Sequence, residues 1–147
     1  MSHITEQELQ GFKRLHFIGI GGSGMFPLVQ ILNKENFIIT GSDNNSGDNL
    51  LREADMGIQI HMGHSEENVK GADAVIFSAA IMEDNPELLY AREHKIPTIE
   101  RSELLGLLSR RYSNCICISG THGKTTTTAM LTQILLSCGM DPSCVIG

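Results

Sequence analysis

Two short glycine-rich stretches hold the residues best suited to gripping phosphate. The first, G-I-G-G-S-G from Gly19 to Gly24, has the G-x-G-x-x-G spacing between an apolar run and a helical pattern. That context suits a dinucleotide-type turn, in which backbone N–H groups and a helix N-terminus face a pyrophosphate. Gly19 and Gly21 would allow the tight turn and close backbone approach, and Gly24 the packing of helix on strand. Asp43, in T-G-S-D, lies about 20 residues on, where an acidic side chain bonds ribose hydroxyls. On these residues alone the default ligand is NAD-like, although the motif does not say which nucleotide binds.

The second stretch, G-T-H-G-K-T from Gly120 to Thr125, is a shortened Walker A, since Ile118 stands where the full pattern has its first glycine. Gly120 and Gly123 would turn backbone N–H groups onto phosphate oxygens. Lys124 supplies a charge at the β- and γ-phosphates of ATP, and the Thr125 hydroxyl is a magnesium ligand. Thr121, His122 and Thr126 complete the ATP-binding stretch. His122 either contacts nucleotide or faces solvent.

Short apolar runs alternate with helical patterns along the chain, which calls for a parallel sheet covered by helices, a Rossmann-like α/β fold. Strands are expected at Arg14–Gly19, Phe37–Thr40, Ile58–His61, Ala74–Ser78, Thr98-Ile99 and Cys115–Ser119. Helices are expected near Ser23–Asn33, Asn49–Met56, Ser65–Lys70, Asn85–His94, Ser102–Arg111 and Lys124–Cys138. The continuous apolar runs Phe37–Thr40 and Ala74–Ser78 suit strands buried on both faces. A seam falls at the polar stretch Arg110–Asn114. It divides residues 1–112, a complete small unit, from residues 113–147, the opening strand, phosphate loop and helix of a second unit.

Composition restricts the function classes. The chain has 147 residues, 41% hydrophobic and 19% charged, with 5% aromatic and no Trp, so aliphatic side chains must build the core of a soluble globular protein. A net charge of −6 without a basic run argues against nucleic acid. No apolar run approaches the ~20 residues needed to span a bilayer, and the polar N-terminus is no secretory signal. Cys115, Cys117, Cys138 and Cys144 lack metal or disulfide spacing and are expected as buried free thiols of a cytoplasmic protein. His61 and His64 lack a third metal ligand. Glu66-Glu67 and Glu83-Asp84 read as solvated faces, and Met25, Met56, Met62 and Met82 as packing residues.

Taken together, H-F-I-G-I-G-G-S-G-M (His16–Met25), G-S-D (Gly41–Asp43), Gly63-His64, S-A-A-I (Ser78–Ile81), D-N-P-E (Asp84–Glu87), R-S-E-L-L (Arg101–Leu105) and G-T-H-G-K-T-T-T-T (Gly120–Thr128) resemble the Mur ligases of peptidoglycan synthesis. The resemblance runs from about His16 to the end. Phe26-Pro27 departs from it, standing where the family has smaller residues. The resemblance implies that the first unit holds the UDP of a sugar nucleotide and not NAD. Gly21, Gly22, Ser23 and Gly24 would then cradle the pyrophosphate and Asp43 the ribose. His64, Ser78 and Ala79 would lie near the uridine, and Arg101 would reach a substrate phosphate.

It further implies an ATP- and magnesium-dependent amide ligase, with Lys124 as its catalytic residue in this chain. The partners would be UDP-N-acetylmuramate, ATP and L-alanine. The muramic carboxylate would attack the γ-phosphorus to give an acyl phosphate, which the alanine amine then displaces. The alternatives are a muropeptide-recycling ligase of the same family and an NAD-binding oxidoreductase domain. The chain is expected to be a part of a longer enzyme, inactive alone. Its segment Cys115–Ser119 is expected to pair with an existing sheet edge or with a second copy as a dimer.

Overall fold

The computed structural model describes residues 4–146; the outermost residues of the two expected units, 1–3 and 147, lie outside that range. Five parallel strands form one sheet in the order β3-β2-β1-β4-β5: β1 (Arg14–Ile18), β2 (Ile38–Asp43), β3 (Gln59–Met62), β4 (Ala74–Phe77) and β5 (Thr98–Glu100). The order reverses at β1, so the chain leaves the carboxyl end of β1 beside a gap between strand connections. Open α/β sheets bind ligands in that crevice.

Register sorts the side chains. Leu15 pairs with Ile39 and Ala74, and Phe17 with Gly41 and Ile76. On this face they join Leu9 of α1 (Glu6–Gly11), Leu28 and Leu32 of α2 (Phe26–Lys34) and Leu50 of α3 (Asp48–Asp55). Leu104, Leu107 and Leu108 of α5 (Arg101–Ser109) complete that layer. Ile18, Val75 and Phe77 face the other way. They pack with Val69 of the 3-10 turn Glu66–Val69 and with Leu88 and Ala91 of α4 (Pro86–Glu93). Every residue of β4 is buried, as a strand covered on both faces requires. Ile38, at the start of β2, is exposed.

Helix ends follow local chemistry. In α4 the Asn85 side chain accepts hydrogen bonds from the N–H groups of Glu87 and Leu88, with Pro86 in the first turn, where its missing N–H is harmless. α2 begins at Phe26, three residues later than Ser23. The Gly22 carbonyl accepts from Met25 and Phe26, so a separate turn absorbs the glycines before the helix starts. The unforeseen α1 is closed by a reciprocal capping box between Thr5 and Glu8. Past α5, the Arg111 guanidinium pairs with Glu6 and Glu35, joining α1 and the end of α2.

Residues 113–146 depart in part from expectation. The Cys115–Ser119 strand does not form; residues 115–120 are irregular and pair with no edge of the sheet. A strand is stabilised by ladder hydrogen bonds and cross-strand contacts, and here no neighbour supplies them. α6 (Lys124–Ser137) does form, since a helix satisfies its backbone internally, but buries none of its residues. The expected burial of the thiols fails with the strand: Cys115, Cys117 and Cys138 are exposed and Cys144 half-buried, all free. Met62 and Met82 are likewise exposed, not packed. No helix among the described residues is long and apolar enough to cross a membrane.

Candidate nucleotide site

Each of the five strands delivers a candidate residue at its carboxyl end. After β1 the chain turns at Gly19, whose φ of 75° favours glycine. The N–H groups of Gly19 and Ile20 donate to the Ser42 carbonyl at 2.8 and 3.1 Å, which fixes the turn to the end of β2. Asp43 closes it from the side: its Oδ2 accepts from the Gly21 N–H at 3.0 Å and its Oδ1 from the Asn45 N–H at 2.9 Å. Asn49 at the start of α3 donates to the Gly21 carbonyl at 3.0 Å.

Gly24 does not serve helix-on-strand packing. Arg101, the first residue of α5 after β5, lies over it, and a Cβ at residue 24 would stand 3.2 Å from Arg101 Nη1. Glycine here makes room for a guanidinium on the turn. Ser78 and Ala79 follow β4, and the turn they open brings Ile81 against Gly19. His64 follows β3, after Gly63 donates its N–H to the Asp43 carbonyl at 2.8 Å. Gly21, Gly22, Ser23, Gly24, Asp43, His64, Ser78, Ala79 and Arg101 thus share the carboxyl edge of the sheet.

Beneath that edge lie two buried acids absent from the expected site. Glu87 of α4 is fully buried and collects donors: Ser42 Oγ at 2.5 Å, Asn68 Nδ2 at 2.6 Å, His64 Nδ1 at 3.1 Å and the Ser65 N–H at 3.3 Å. His16 Nε2 stands 3.7 Å away, while its Nδ1 meets Thr40 Oγ1 at 2.8 Å. Burial pushes the Glu87 carboxyl up, but the His16 imidazole, the Ser42 hydroxyl and the Asn68 amide outweigh it and hold the group at about 2. Glu53 of α3 is the opposite case. It is fully buried, and neither oxygen has a hydrogen-bond partner among the described residues. Burial first, and the Asp43 carboxylate second, push it up to about 8, so it is largely protonated at neutral pH.

The second glycine stretch stands apart from this edge in character. Gly120 to Thr126 are exposed; Gly123 has φ 76° and leads directly into α6. Lys124 Nζ donates to the Gly120 carbonyl at 2.8 Å, folding back over the loop. A lysine inside a glycine turn at a helix N-terminus fits the phosphate end of ATP. The donors for magnesium do not make a site: Thr125 offers one hydroxyl, and no group of three or more His, Cys, Asp or Glu among the described residues is placed to hold a metal.

Sequence comparison matches residues 14–113 to the Mur ligase family, catalytic domain. The UDP-N-acetylmuramate–L-alanine ligase of Acetivibrio thermocellus is 47% identical over 147 residues, covering 100% of this chain and 31% of the relative. The ligase of the same name from Persephonella marina is 48% identical over 135 residues, 92% of this chain and 29% of its own length. Among solved structures, the UDP-N-acetylmuramate–alanine ligase of Thermotoga maritima superposes with a TM-score of 0.81 at 32% identity, over 86% of this chain and 30% of that one. A murein peptide ligase from Psychrobacter arcticus gives 0.80 at 26% identity, over 86% and 27%. The chain therefore spans under a third of the length of these relatives. With a family match across the whole five-stranded sheet and its carboxyl edge, the chain belongs to the Mur ligase family.

Proposed function

We propose that this chain is the sugar-nucleotide-binding part, with the start of the ATP-binding part, of a cytoplasmic ligase that joins L-alanine to UDP-N-acetylmuramate. The division falls between residues 112 and 113. Gly21 to Gly24 would hold the diphosphate, Asp43 the ribose, and His64, Ser78 and Ala79 the uridine. Arg101 would meet a phosphate. In the whole ligase, Gly120 to Thr126 would hold ATP, with Lys124 offsetting charge on the transferring phosphoryl group and Thr125 contributing to a magnesium site completed by other groups.

The observation that carries this reading is the guanidinium of Arg101 resting on Gly24. A cation over a glycine turn at the sheet's switch point suits a doubly charged diphosphate. The names of the relatives support the sugar nucleotide and the amino acid. The higher identity to the alanine ligase structure than to the murein peptide ligase favours alanine over a tripeptide. Calorimetric titration of the chain with UDP-N-acetylmuramate, UDP and NAD tests it. Saturable binding of both uridine nucleotides and none of NAD is expected; the reverse pattern overturns the reading.

The chain by itself would lack amide-forming activity. Exposed Ile116, Met130, Ile134, Leu136 and Met140 support self-association of the isolated chain through residues 113–147.

A further inference from the structure

Four elements converge on Glu87: the end of β2 through Ser42, the segment after β3 through His64 and Ser65, the 3-10 turn through Asn68, and β1 through His16. Such a convergence of buried polar groups is costly unless its donors and acceptors match. They match in only one way around His64. The Glu87 carboxylate offers acceptors alone, and the single hydroxyl proton of Ser42 goes to Glu87 Oε2 at 2.5 Å. His64 Nδ1, 3.0 Å from Ser42 Oγ and 3.1 Å from Glu87 Oε2, therefore faces two acceptors and must itself carry a proton. In the neutral imidazole this leaves Nε2 with a bare lone pair. Among the described residues, Nε2 makes no hydrogen bond, and the ring is 13% exposed at the carboxyl edge of the sheet.

We propose that Glu87 is a positioning residue that sets the His64 tautomer, so that Nε2 accepts a hydrogen bond from an N–H or O–H donor of the bound uridine. This rests on the sugar-nucleotide reading above. Glu87 has a second route to the site, since the Ser42 carbonyl also anchors the Gly19 turn. A purely structural role would act through that route and would not depend on His64.

The experiment separates the two. UDP binding is measured for the chain and for Glu87→Gln, His64→Ala and the double variant. Glu87→Gln is expected to weaken binding about tenfold in the parent, the loss of one charge-supported hydrogen bond. In the His64→Ala background it should add less than about twofold. An equal loss in both backgrounds, or none in either, overturns the proposal. A parent chain that binds no uridine nucleotide overturns the nucleotide reading itself, a different result from a parent that binds and variants that do not couple. CDP assigns the donor. A UDP preference that disappears in His64→Ala places the donor on the uracil imide, and equal loss for both nucleotides places it on the ribose. Should Glu87→Gln fail to fold, nitrogen NMR of the unaltered chain decides the matter. Nδ1 is expected protonated and Nε2 bare; the opposite neutral tautomer overturns the proposal.

Discussion

Arg101 covers Gly24 so closely that a Cβ at residue 24 would stand 3.2 Å from its Nη1 and 3.3 Å from its Cζ. Residues 77 positions apart in sequence are thereby brought into one unit at the carboxyl edge of the sheet. Arg101→Ala should weaken UDP-N-acetylmuramate binding roughly tenfold to a hundredfold, as expected for losing a hydrogen bond to a charged group. Gly24→Ala should weaken it less, by displacing the same guanidinium, and should add little to Arg101→Ala. Calorimetry on the three variants checks both statements; additive losses would show that the two residues act separately.

The strand ends have a second close approach. A Cβ at Gly41 would lie 2.5 Å from Ile20 Cδ1 and 2.7 Å from its Cβ, inside any real contact distance. Gly41→Ala should destabilise the fold by about 1–3 kcal/mol through overpacking. In an Ile20→Gly background, which removes every one of those atoms, the same change should cost much less, read as the shift in urea midpoint.

Glu87 links stability to acid. Its folded value of about 2 lies below the ordinary 4.5, so its contribution is fully present above pH 4.5 and is lost as pH falls toward 2. Across that window it should contribute a slope of about 1.4 kcal/mol per pH unit. Urea unfolding at a series of acid pH values should show that slope in the parent chain and its absence in Glu87→Gln.

Glu53 acts with the opposite sign. Its folded value of about 8 lies above 4.5, so the native chain holds a proton the unfolded chain releases. Stability should fall as pH rises from 4.5 to 8, and Glu53→Gln should remove this fall. The variant should gain over the parent at pH 8 and differ little at pH 4.5, by the same measurement.

On the reading proposed above, substitution in the second glycine stretch should separate binding from turnover. Lys124→Ala should leave UDP-N-acetylmuramate binding by this chain unchanged, because the Lys124 ammonium folds back onto the Gly120 carbonyl of its own loop. In the full-length ligase, the same substitution should lower kcat by at least about a hundredfold, as expected for losing a charge that stabilises a transition state. A turnover assay for amide formation, with the 147-residue chain as a blank control, checks both halves.

Most of the sheet was legible because its signals are local. β1 and β4 are apolar runs broken by turn residues, and each lies within a residue of its expected bounds. What escaped depends on partners far away in sequence. Asn85-Pro86-Glu87 reads as a helix cap with an acid in the first turn, an ordinary surface pattern. Only the fold brings residues 16, 42, 64 and 68 around that acid and buries it. His16, a polar residue inside an apolar strand, was the available clue to a buried network. The Cys115–Ser119 run failed in the reverse way. Its composition suits a strand, but strand formation belongs to the sheet that receives it. The capping box at Thr5 and Glu8, by contrast, is a purely local signature of the helix that went unforeseen.

The Arg111 clasp has a mechanical consequence. One guanidinium is shared between Glu6, near the chain's beginning, and Glu35, at the close of α2. The polypeptide that leaves α5 is thus moored to its own entrance. Shortening the amino-terminal helix would therefore remove one of the two carboxylates that moor the segment following α5.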